Sequence, residues 1–184
     1  MLYSEPKMKD NIYRVAELDM KIQFAESTTN NKQLIESFEP FRVSALKGSI
    51  LFHLTIDDNT QPYPKEKRER IRNFDTGSGH TIVDKLDDGG YQFIIRDIYD
   101  ADCALVITNA DFSECRCALN GNMNMRRFGL NNTLMLIYAF ASCPYDTLML
   151  HASLVRQNGY GYAFIAKSGT GKSTQVSLWL RHLK

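Results

Sequence analysis

The chain lacks long apolar runs and a marked excess of charge of one sign. Its longest apolar stretch, at residues 134–141, is far shorter than the about 20 residues that a membrane helix needs. The first residues are polar and include Lys7, Lys9 and Asp10, so no apolar segment of a signal peptide is present. A net charge of +1 gives no whole-chain argument for a nucleic acid, a membrane or an acidic partner. We therefore expect a cytoplasmic protein that binds neither nucleic acid nor membrane.

Cysteine is also scarce, with four residues at positions 103, 115, 117 and 143. In a cytosolic protein these thiols are expected to be reduced. Cys115 and Cys117 are two residues apart, which places them on one face of a strand. Because no second pair of Cys or His lies nearby, we interpret them as small apolar residues of a sheet. A metal site is the less favoured alternative.

The sequence before Phe128 has the pattern of short strands separated by turns. Alternating or continuously apolar segments predict strands at residues 20–25, 49–56, 80–86, 91–98, 104–108 and 115–119. The turn at residues 87–90, Asp-Asp-Gly-Gly, predicts a hairpin between two of them. The basic-rich run at residues 65–72 follows Pro62 and Pro64 and has charges of both signs. It favours a solvated loop or strand entry over a nucleic-acid patch.

The periodicity changes after Phe128. Apolar residues recur at three- and four-residue spacing from Leu130 to residue 141, which predicts an amphipathic helix with caps among residues 131–133 and an end before Pro144. Residues 148–155 and 160–166 then predict a hairpin, joined through Asn158 and Gly159. Residues 173–183 predict a final helix.

Between this hairpin and the final helix lies a phosphate-binding loop, or Walker A pattern, at residues 166–174 (Ala-Lys-Ser-Gly-Thr-Gly-Lys-Ser-Thr). Glycines allow backbone N–H groups to surround phosphate oxygens, and the following helix directs its positive end at the same anion. Lys172 can reach the β- and γ-phosphates, and the Ser173 hydroxyl can bind Mg²⁺. The pattern departs from the usual one at its first position, where Ala166 replaces Gly.

Residues 151–155 (His-Ala-Ser-Leu-Val) and 163–174 resemble the HPr kinase/phosphorylase family and the related ATP-dependent phosphoenolpyruvate carboxykinases. Both families share a hairpin that leads directly into the loop, which this sequence resembles, whereas in most P-loop proteins the strand before the loop belongs to a βαβ unit. The resemblance covers only an N-terminal portion of such proteins. It implies ATP and Mg²⁺ as ligands and a cofactor-binding set of Ser168, Gly169, Thr170, Gly171, Lys172, Ser173 and Thr174, with Ser173 also on the metal. His151 matches the family's histidine, either as a catalytic group or as a hydrogen-bonded buried one.

These observations predict an α+β fold. Residues 1–127 would form a β-rich antiparallel N-terminal domain. Residues 128–184 would form the first helix, hairpin, P-loop and helix of an HPr-kinase-like or carboxykinase-like nucleotide-binding domain, incomplete at its end. No Asp or Glu follows Lys172, although phosphoryl transfer needs acidic residues to hold Mg²⁺ and orient the acceptor. Upstream acids such as Asp97, Asp100 and Asp102 could fold back to the loop, but nothing in the sequence indicates that they do. We therefore expect the front part of a longer protein, inactive as this fragment.

Three functions remain open. The first is an HPr-kinase-like phosphotransferase acting on a protein serine or a small hydroxyl compound. The second is a nucleotide-responsive binding or regulatory protein without phosphoryl transfer. The third, ranked lowest, is a carboxykinase-like enzyme, since its metal site and substrate-binding arginines cannot be located. ATP, GTP and pyrophosphate are not distinguished. The apolar face of the final helix also leaves a homo-oligomer open.

Overall fold

The computed structural model describes residues 11–167 and 169–183, and the chain divides into two compact units, Met1–Thr147 and Leu148–Lys184. The boundary therefore lies later than the one predicted after residue 127. The reason is the long helix Met123–Ala141, which spans the predicted boundary, packs against the sheet of the first unit and belongs to its core.

The first unit is built on an eight-stranded sheet with the order β1-β2-β3-β8-β7-β6-β5-β4. Its strands are β1 Asn11–Val15, β2 Leu18–Phe24, β3 Ile50–Ile56, β4 Arg68–Asp75, β5 Gly79–Leu86, β6 Tyr91–Asp97, β7 Asp102–Thr108 and β8 Glu114–Leu119. The predicted antiparallel arrangement is wrong in part, because β3 pairs in parallel with both β2 and β8. The sheet is mixed. Parallel neighbours need a crossover connection, and the chain between β2 and β3 supplies one.

That crossover contains a short helix, α1 Asn31–Ile35, followed by a 3₁₀ segment, Glu36–Phe41. Leu34 and Ile35 of α1 are buried in the core. Two smaller 3₁₀ turns, Lys65–Lys67 and Cys143–Tyr145, precede β4 and follow the long helix. The sequence patterns did not reveal α1, β1 or β4.

The long helix, α2, runs from Met123 to Ala141 and lies on the sheet. It begins earlier than predicted, and its cap is Asn122 rather than a residue among 131–133. The Asn122 side chain accepts hydrogen bonds from the backbone N–H groups of Asn124 at 3.0 Å and Met125 at 3.2 Å. Its buried apolar side chains join those of the strands in one core. They are Leu130, Leu134, Ile137, Tyr138 and Ala141.

Arg126 fixes the start of α2 to the end of β8 and to the loop after β3. Its guanidinium donates to the Leu119 carbonyl at 2.6 Å and to the Asp58 carboxylate at 2.7 Å. Close to it, Gly129 allows the helix to approach β7. A Cβ at Gly129 would stand 2.6 Å from the Cys103 carbonyl oxygen. The helix position thus depends on one partly buried ion pair and on the absence of a side chain at Gly129.

The second unit contains β9 Ala152–Gln157, β10 Tyr160–Ile165 and the helix α3 Lys172–His182. The two strands form an antiparallel hairpin, as predicted, although β9 begins later than residue 148. α3 matches the predicted final helix closely. Among the described residues of this unit, Val155 is the one that is fully buried.

Candidate functional site

The hairpin delivers the chain to the phosphate-loop sequence. Its turn at Asn158 and Gly159 has φ values of 50° and 82°, the left-handed pair that tight hairpin turns use. Gln157 pairs with Tyr160 beside the turn, and Ala152 pairs with Ile165 at the far end. Two tightly paired strands therefore fix the position at which residue 166 begins the loop.

Two glycines shape the described part of the loop. Gly169 has a φ of 81° and Gly171 a φ of 87°, a region that side chains with a Cβ rarely enter. No described atom lies within 4 Å of the point where a Cβ would stand at either position. The backbone conformation, rather than crowding, therefore requires glycine here. Ser168, a predicted member of the cradle, lies outside the described residues.

Thr170 and Lys167 close one turn of the loop. The Thr170 hydroxyl donates to the Lys167 carbonyl at 2.8 Å, and the Thr170 backbone N–H donates to the same oxygen at 3.4 Å. The Thr170 side chain is exposed but engaged with its own loop. It stabilises the curvature of the loop in this structure.

Helix α3 begins immediately after the loop, with Gly171 at its N-cap and no side chain capping it. The first backbone hydrogen bond runs from the Gln175 N–H to the Gly171 carbonyl at 2.9 Å. The N–H groups of Lys172, Ser173 and Thr174 therefore have no partner within the helix, and they carry its positive end. An anion is the natural partner of such a group of donors.

The Lys172 side chain folds back over the loop. Its ammonium donates to the carbonyl oxygens of Ala166 at 2.9 Å and Lys167 at 3.0 Å. The Lys172 ammonium, which the motif predicts to bind phosphate, is thus held against the backbone at the start of the loop. Ala166 is accommodated at the first position of the motif, where its carbonyl contributes to holding the lysine.

Ser173 lies on the first turn of α3, beside the first strand of the hairpin. Its hydroxyl oxygen is 3.4 Å from that of Ser153, and its carbonyl accepts a hydrogen bond from the Ser177 hydroxyl at 3.0 Å. Thr174, the next predicted residue, is exposed. No sequence motif points to Ser153, whose approach to Ser173 depends on the fold bringing β9 to the start of α3.

An aromatic cluster holds α3 on the hairpin. The ring of Trp179 lies 4.9 Å from that of Tyr162 and 5.5 Å from that of Phe164, measured between centroids. Contacts of this type contribute about 0.5–1.5 kcal/mol each beyond the burial of their area. Both β10 residues are on the strand face that also carries Val155. The cluster therefore aligns the helix start with the end of β10.

His151 directly precedes β9, and its side chain is exposed. The interpretation as a hydrogen-bonded buried histidine is therefore wrong for this structure. A catalytic role stays a prediction, because no hydrogen bond or ion pair among the described residues joins the His151 side chain to the loop.

The upstream acids have partners inside the first unit. The Arg96 guanidinium donates to Asp102 at 2.6 Å and to Asp100 at 3.1 Å. The Asp97 carboxylate accepts two backbone N–H groups that follow it in the chain, at 2.9 and 3.0 Å. Within the part of the chain that the structure describes, no three side chains of His, Cys, Asp or Glu come together as a metal site would require. The second unit itself contains no Asp or Glu.

Cys115 and Cys117 lie in the core, as the apolar interpretation predicts. Burial raises the pKa of both thiols, that of Cys117 to about 12. The Cys117 sulfur is 3.7 Å from the Thr133 hydroxyl of α2. Both cysteines act as small packing residues between sheet and helix.

The basic-rich run begins with a 3₁₀ turn and continues as the edge strand β4, so of the two predicted alternatives, a solvated loop or a strand entry, the structure agrees with the second, although the pattern did not reveal the full strand. Arg68 and Arg70 both donate to the carboxylate of Asp84 on β5. Two of the five basic side chains are therefore occupied by an ion-pair cluster of the fold. Nothing in these contacts favours the nucleic-acid alternative.

Comparisons of the chain with models of protein families, with curated proteins and with solved structures give no match. Among residues 11–167 and 169–183, no helix has both the length and the apolar character needed to cross a membrane. The loop between β10 and α3 is therefore the feature of the described residues that points to a function.

Proposed function

We propose that this chain binds the phosphates of a nucleoside triphosphate, with ATP·Mg²⁺ as the expected ligand, at residues 166–174. The observation that carries the proposal is the combination at the start of α3. Two glycines with positive φ lead to an uncapped helix terminus, and the ammonium of Lys172 lies over the same loop. Each of these features supplies a donor or a positive charge for a phosphate group.

The donor set fits the phosphates and the cation in its chemistry. The N–H groups of Lys172, Ser173 and Thr174 and the Lys172 ammonium would hold phosphate oxygens, and the Ser173 hydroxyl is an oxygen ligand of the kind that Mg²⁺ prefers. Bound Mg²⁺ would neutralise part of the phosphate charge. Lys172 would exchange two neutral carbonyl oxygens for phosphate oxygens. Such charge-assisted hydrogen bonds are about twice as strong as those between neutral groups.

In an HPr-kinase-like phosphotransferase, a carboxylate would orient the hydroxyl of a protein serine or a small acceptor. No residue of the second unit can fill that role, because the unit contains no Asp or Glu. We therefore propose that the second unit supplies the phosphate-binding part of such an enzyme and that the acceptor-orienting carboxylate comes from outside this unit.

The same observation favours a second candidate. A nucleotide-responsive binding protein needs the phosphate loop but no carboxylate for transfer. The two candidates differ in one measurable outcome: ATP-dependent labelling of an acceptor. We expect this chain alone to bind ATP and to label no acceptor, and any stoichiometric labelling would contradict that expectation.

Lys172→Ala tests the binding proposal directly. Removing the ammonium should weaken ATP binding more than tenfold, equivalent to more than about 1.4 kcal/mol, and should abolish the ATP-induced rise in melting temperature. The matched control is Lys167→Ala, which removes the same charge from an exposed loop residue that contributes its carbonyl rather than its side chain. Isothermal titration calorimetry and thermal-shift measurements give the two readouts. An unchanged affinity in Lys172→Ala would show that the loop is not the site.

A further inference from the structure

We propose that Ser153 is a positioning residue of the phosphate and cation site, and that its hydroxyl orients the hydroxyl of Ser173. This inference depends on the function proposed above, and it adds a residue from outside the phosphate-loop motif. Ser153 stands on β9, whereas the motif spans the end of β10 and the start of α3. The motif alone therefore contains no sign of it.

The geometry brings the two hydroxyls together. The Ser153 and Ser173 hydroxyl oxygens lie 3.4 Å apart, and either can donate to the other. Ser153 pairs with Phe164 across the hairpin, and Phe164 contacts Trp179 of α3. Ser153 is two residues from Val155, the buried residue of the same strand face. The hairpin face that packs on α3 thus presents the Ser153 hydroxyl to the first turn of the helix.

The chemistry of a cation ligand explains why this neighbour matters. A serine hydroxyl has one O–H donor and two lone pairs. When a lone pair of Ser173 faces Mg²⁺, the proton must point away from the cation, and attraction to the cation makes that proton a stronger donor. A hydrogen-bond acceptor on the far side then stabilises the ligating orientation. Ser153 Oγ lies 3.4 Å from Ser173 Oγ and can accept that proton.

The other serine of the first helical turns does not compete for this role. The Ser177 hydroxyl donates to the Ser173 backbone carbonyl at 3.0 Å, so it does not engage the Ser173 hydroxyl. The second unit also lacks any carboxylate that could accept the proton. A neutral acceptor has a specific benefit here, because it orients the hydroxyl without adding negative charge beside the phosphates.

The test separates the cation from the nucleotide. ATP binding is measured by calorimetry with Mg²⁺ and again with EDTA, and the ratio of the two affinities gives the Mg²⁺ enhancement. Loss of one neutral hydrogen bond should reduce this enhancement by about three- to tenfold in Ser153→Ala, with the affinity in EDTA unchanged. Ser153→Thr keeps the hydroxyl and should restore the enhancement. Ser177→Ala is the matched control and should behave as the wild-type chain.

Other outcomes would contradict the inference, and each would do so in a different way. An undiminished enhancement in Ser153→Ala excludes the positioning role. An equal loss with Mg²⁺ and with EDTA, or the same loss in Ser177→Ala, indicates a packing role instead. If Ser153→Ala does not fold, the Mg²⁺ enhancement is measured instead in Ser153→Thr and Ser173→Ala. An enhancement lost in Ser173→Ala but unaltered by the bulkier Thr supports the role, and an enhancement that Ser173→Ala retains excludes it. Absence of ATP binding by the wild-type chain in both buffers would overturn the proposed function itself.

Discussion

Asp84 shows what a single buried charge does for this fold. The exposed fraction of its side chain is 1%, and it accepts hydrogen bonds from Arg68, Arg70 and Gln92. Burial opposes its ionisation, but the hydrogen bonds from Arg70 and Arg68 and the positive charges of both together outweigh that effect and lower its pKa below the ordinary value of 3.8. This carboxylate joins the edge strand β4 to β5.

Asp84→Asn should therefore destabilise the first unit. It removes the charge that both arginines face, and losing one partner of a buried pair costs roughly 3 kcal/mol. The matched control is Glu69→Gln, which removes an exposed charge from β4 and should change the free energy of unfolding by less than about 0.5 kcal/mol. Urea unfolding measures both. Equal stability of Asp84→Asn and the wild-type chain would contradict the ion-pair argument.

The same carboxylate predicts a dependence on pH. Because the pKa of Asp84 is lower in the folded state, its stabilising contribution is present above the ordinary value of 3.8 and is lost as the pH falls through the folded-state pKa. The difference in unfolding free energy between the wild-type chain and Asp84→Asn should shrink as the pH approaches 3.8 and continue to shrink below it. Unfolding curves recorded from pH 7 downward test this, and a difference that grows in acid would refute it.

Cysteine reactivity gives a second prediction for single residues. Cys143 is exposed, whereas Cys103, Cys115 and Cys117 are buried and burial raises the pKa of each of their thiols. Since the thiolate is the reactive form, Ellman's reagent should modify one thiol rapidly in the folded chain and all four in denaturant. Cys143→Ser should remove the rapid phase. A rapid phase that persists in this variant would place another thiol at the surface.

At the scale of single residues, the sequence predicted which residues belong to the phosphate-loop motif. It did not predict the contacts that the fold adds to them. Lys172 and Ser173 could be proposed as phosphate and Mg²⁺ ligands because a phosphate loop has those residue types at that spacing. The carbonyl partners of Lys172 and the approach of Ser153 to Ser173 could not be predicted. Both depend on how the hairpin meets the helix, which no local pattern encodes.

At the scale of the elements, α2 approaches β7 closely at Gly129, a residue that helix propensity alone would disfavour. Alanine favours a helix over glycine by about 1 kcal/mol. At Gly129, however, a methyl group would meet the Cys103 carbonyl carbon at 2.9 Å and its oxygen at 2.6 Å. Backbone atoms cannot yield without moving β7 or the helix.

We therefore expect Gly129→Ala to lower the free energy of unfolding by about 1–3 kcal/mol, the usual cost of overpacking. Asn131→Ala, at an exposed position of the same helix, should leave it unchanged or raise it slightly. Thermal or urea unfolding of the two variants gives the comparison. A Gly129→Ala chain as stable as Asn131→Ala would show that the helix does not need this contact.

The elements that the sequence missed have identifiable causes. β4 is charged and exposed along nearly its whole length, so it lacks the apolar alternation of a half-buried strand. The first turns of α2 contain Asn124, Arg126 and Arg127, and their mixed polarity hid the helix start. Arg126 is buried there through its ion pair with Asp58, which residues far apart in the chain create.

On the scale of the whole molecule, the sequence predicted a β-rich first part and a hairpin–loop–helix second part. It did not predict the mixed sheet. The pairing of β3 with β8 joins residues such as His53 and Glu114, and such register is decided by the packed sheet as a whole. The position of the unit boundary was missed for the same reason, since α2 packs on the strands before it.

The two units should also differ in their resistance to local unfolding. The first has an extended buried core, whereas Val155 is the one buried side chain among the described residues of the second. Leu154 and Ile165, on the hairpin face opposite Trp179, are 66% and 64% exposed. Backbone amides of β9, β10 and α3 should exchange with deuterium roughly tenfold or more faster than those of β6, β7 and α2. Mass spectrometry of peptides resolves the units, and equal protection would contradict this expectation.

The folded-back lysine has a consequence for selectivity. If the loop is the phosphate site proposed above, an entering anion must compete with the carbonyl oxygens of Ala166 and Lys167 for the same ammonium. A monovalent ion such as chloride gives the ammonium little more electrostatic stabilisation than those two oxygens already give. A polyphosphate offers several charged oxygens at once, to the helix terminus and to the lysine together. Small anions would then bind weakly. Only ligands with enough negative charge would draw the Lys172 ammonium away from the two carbonyl oxygens.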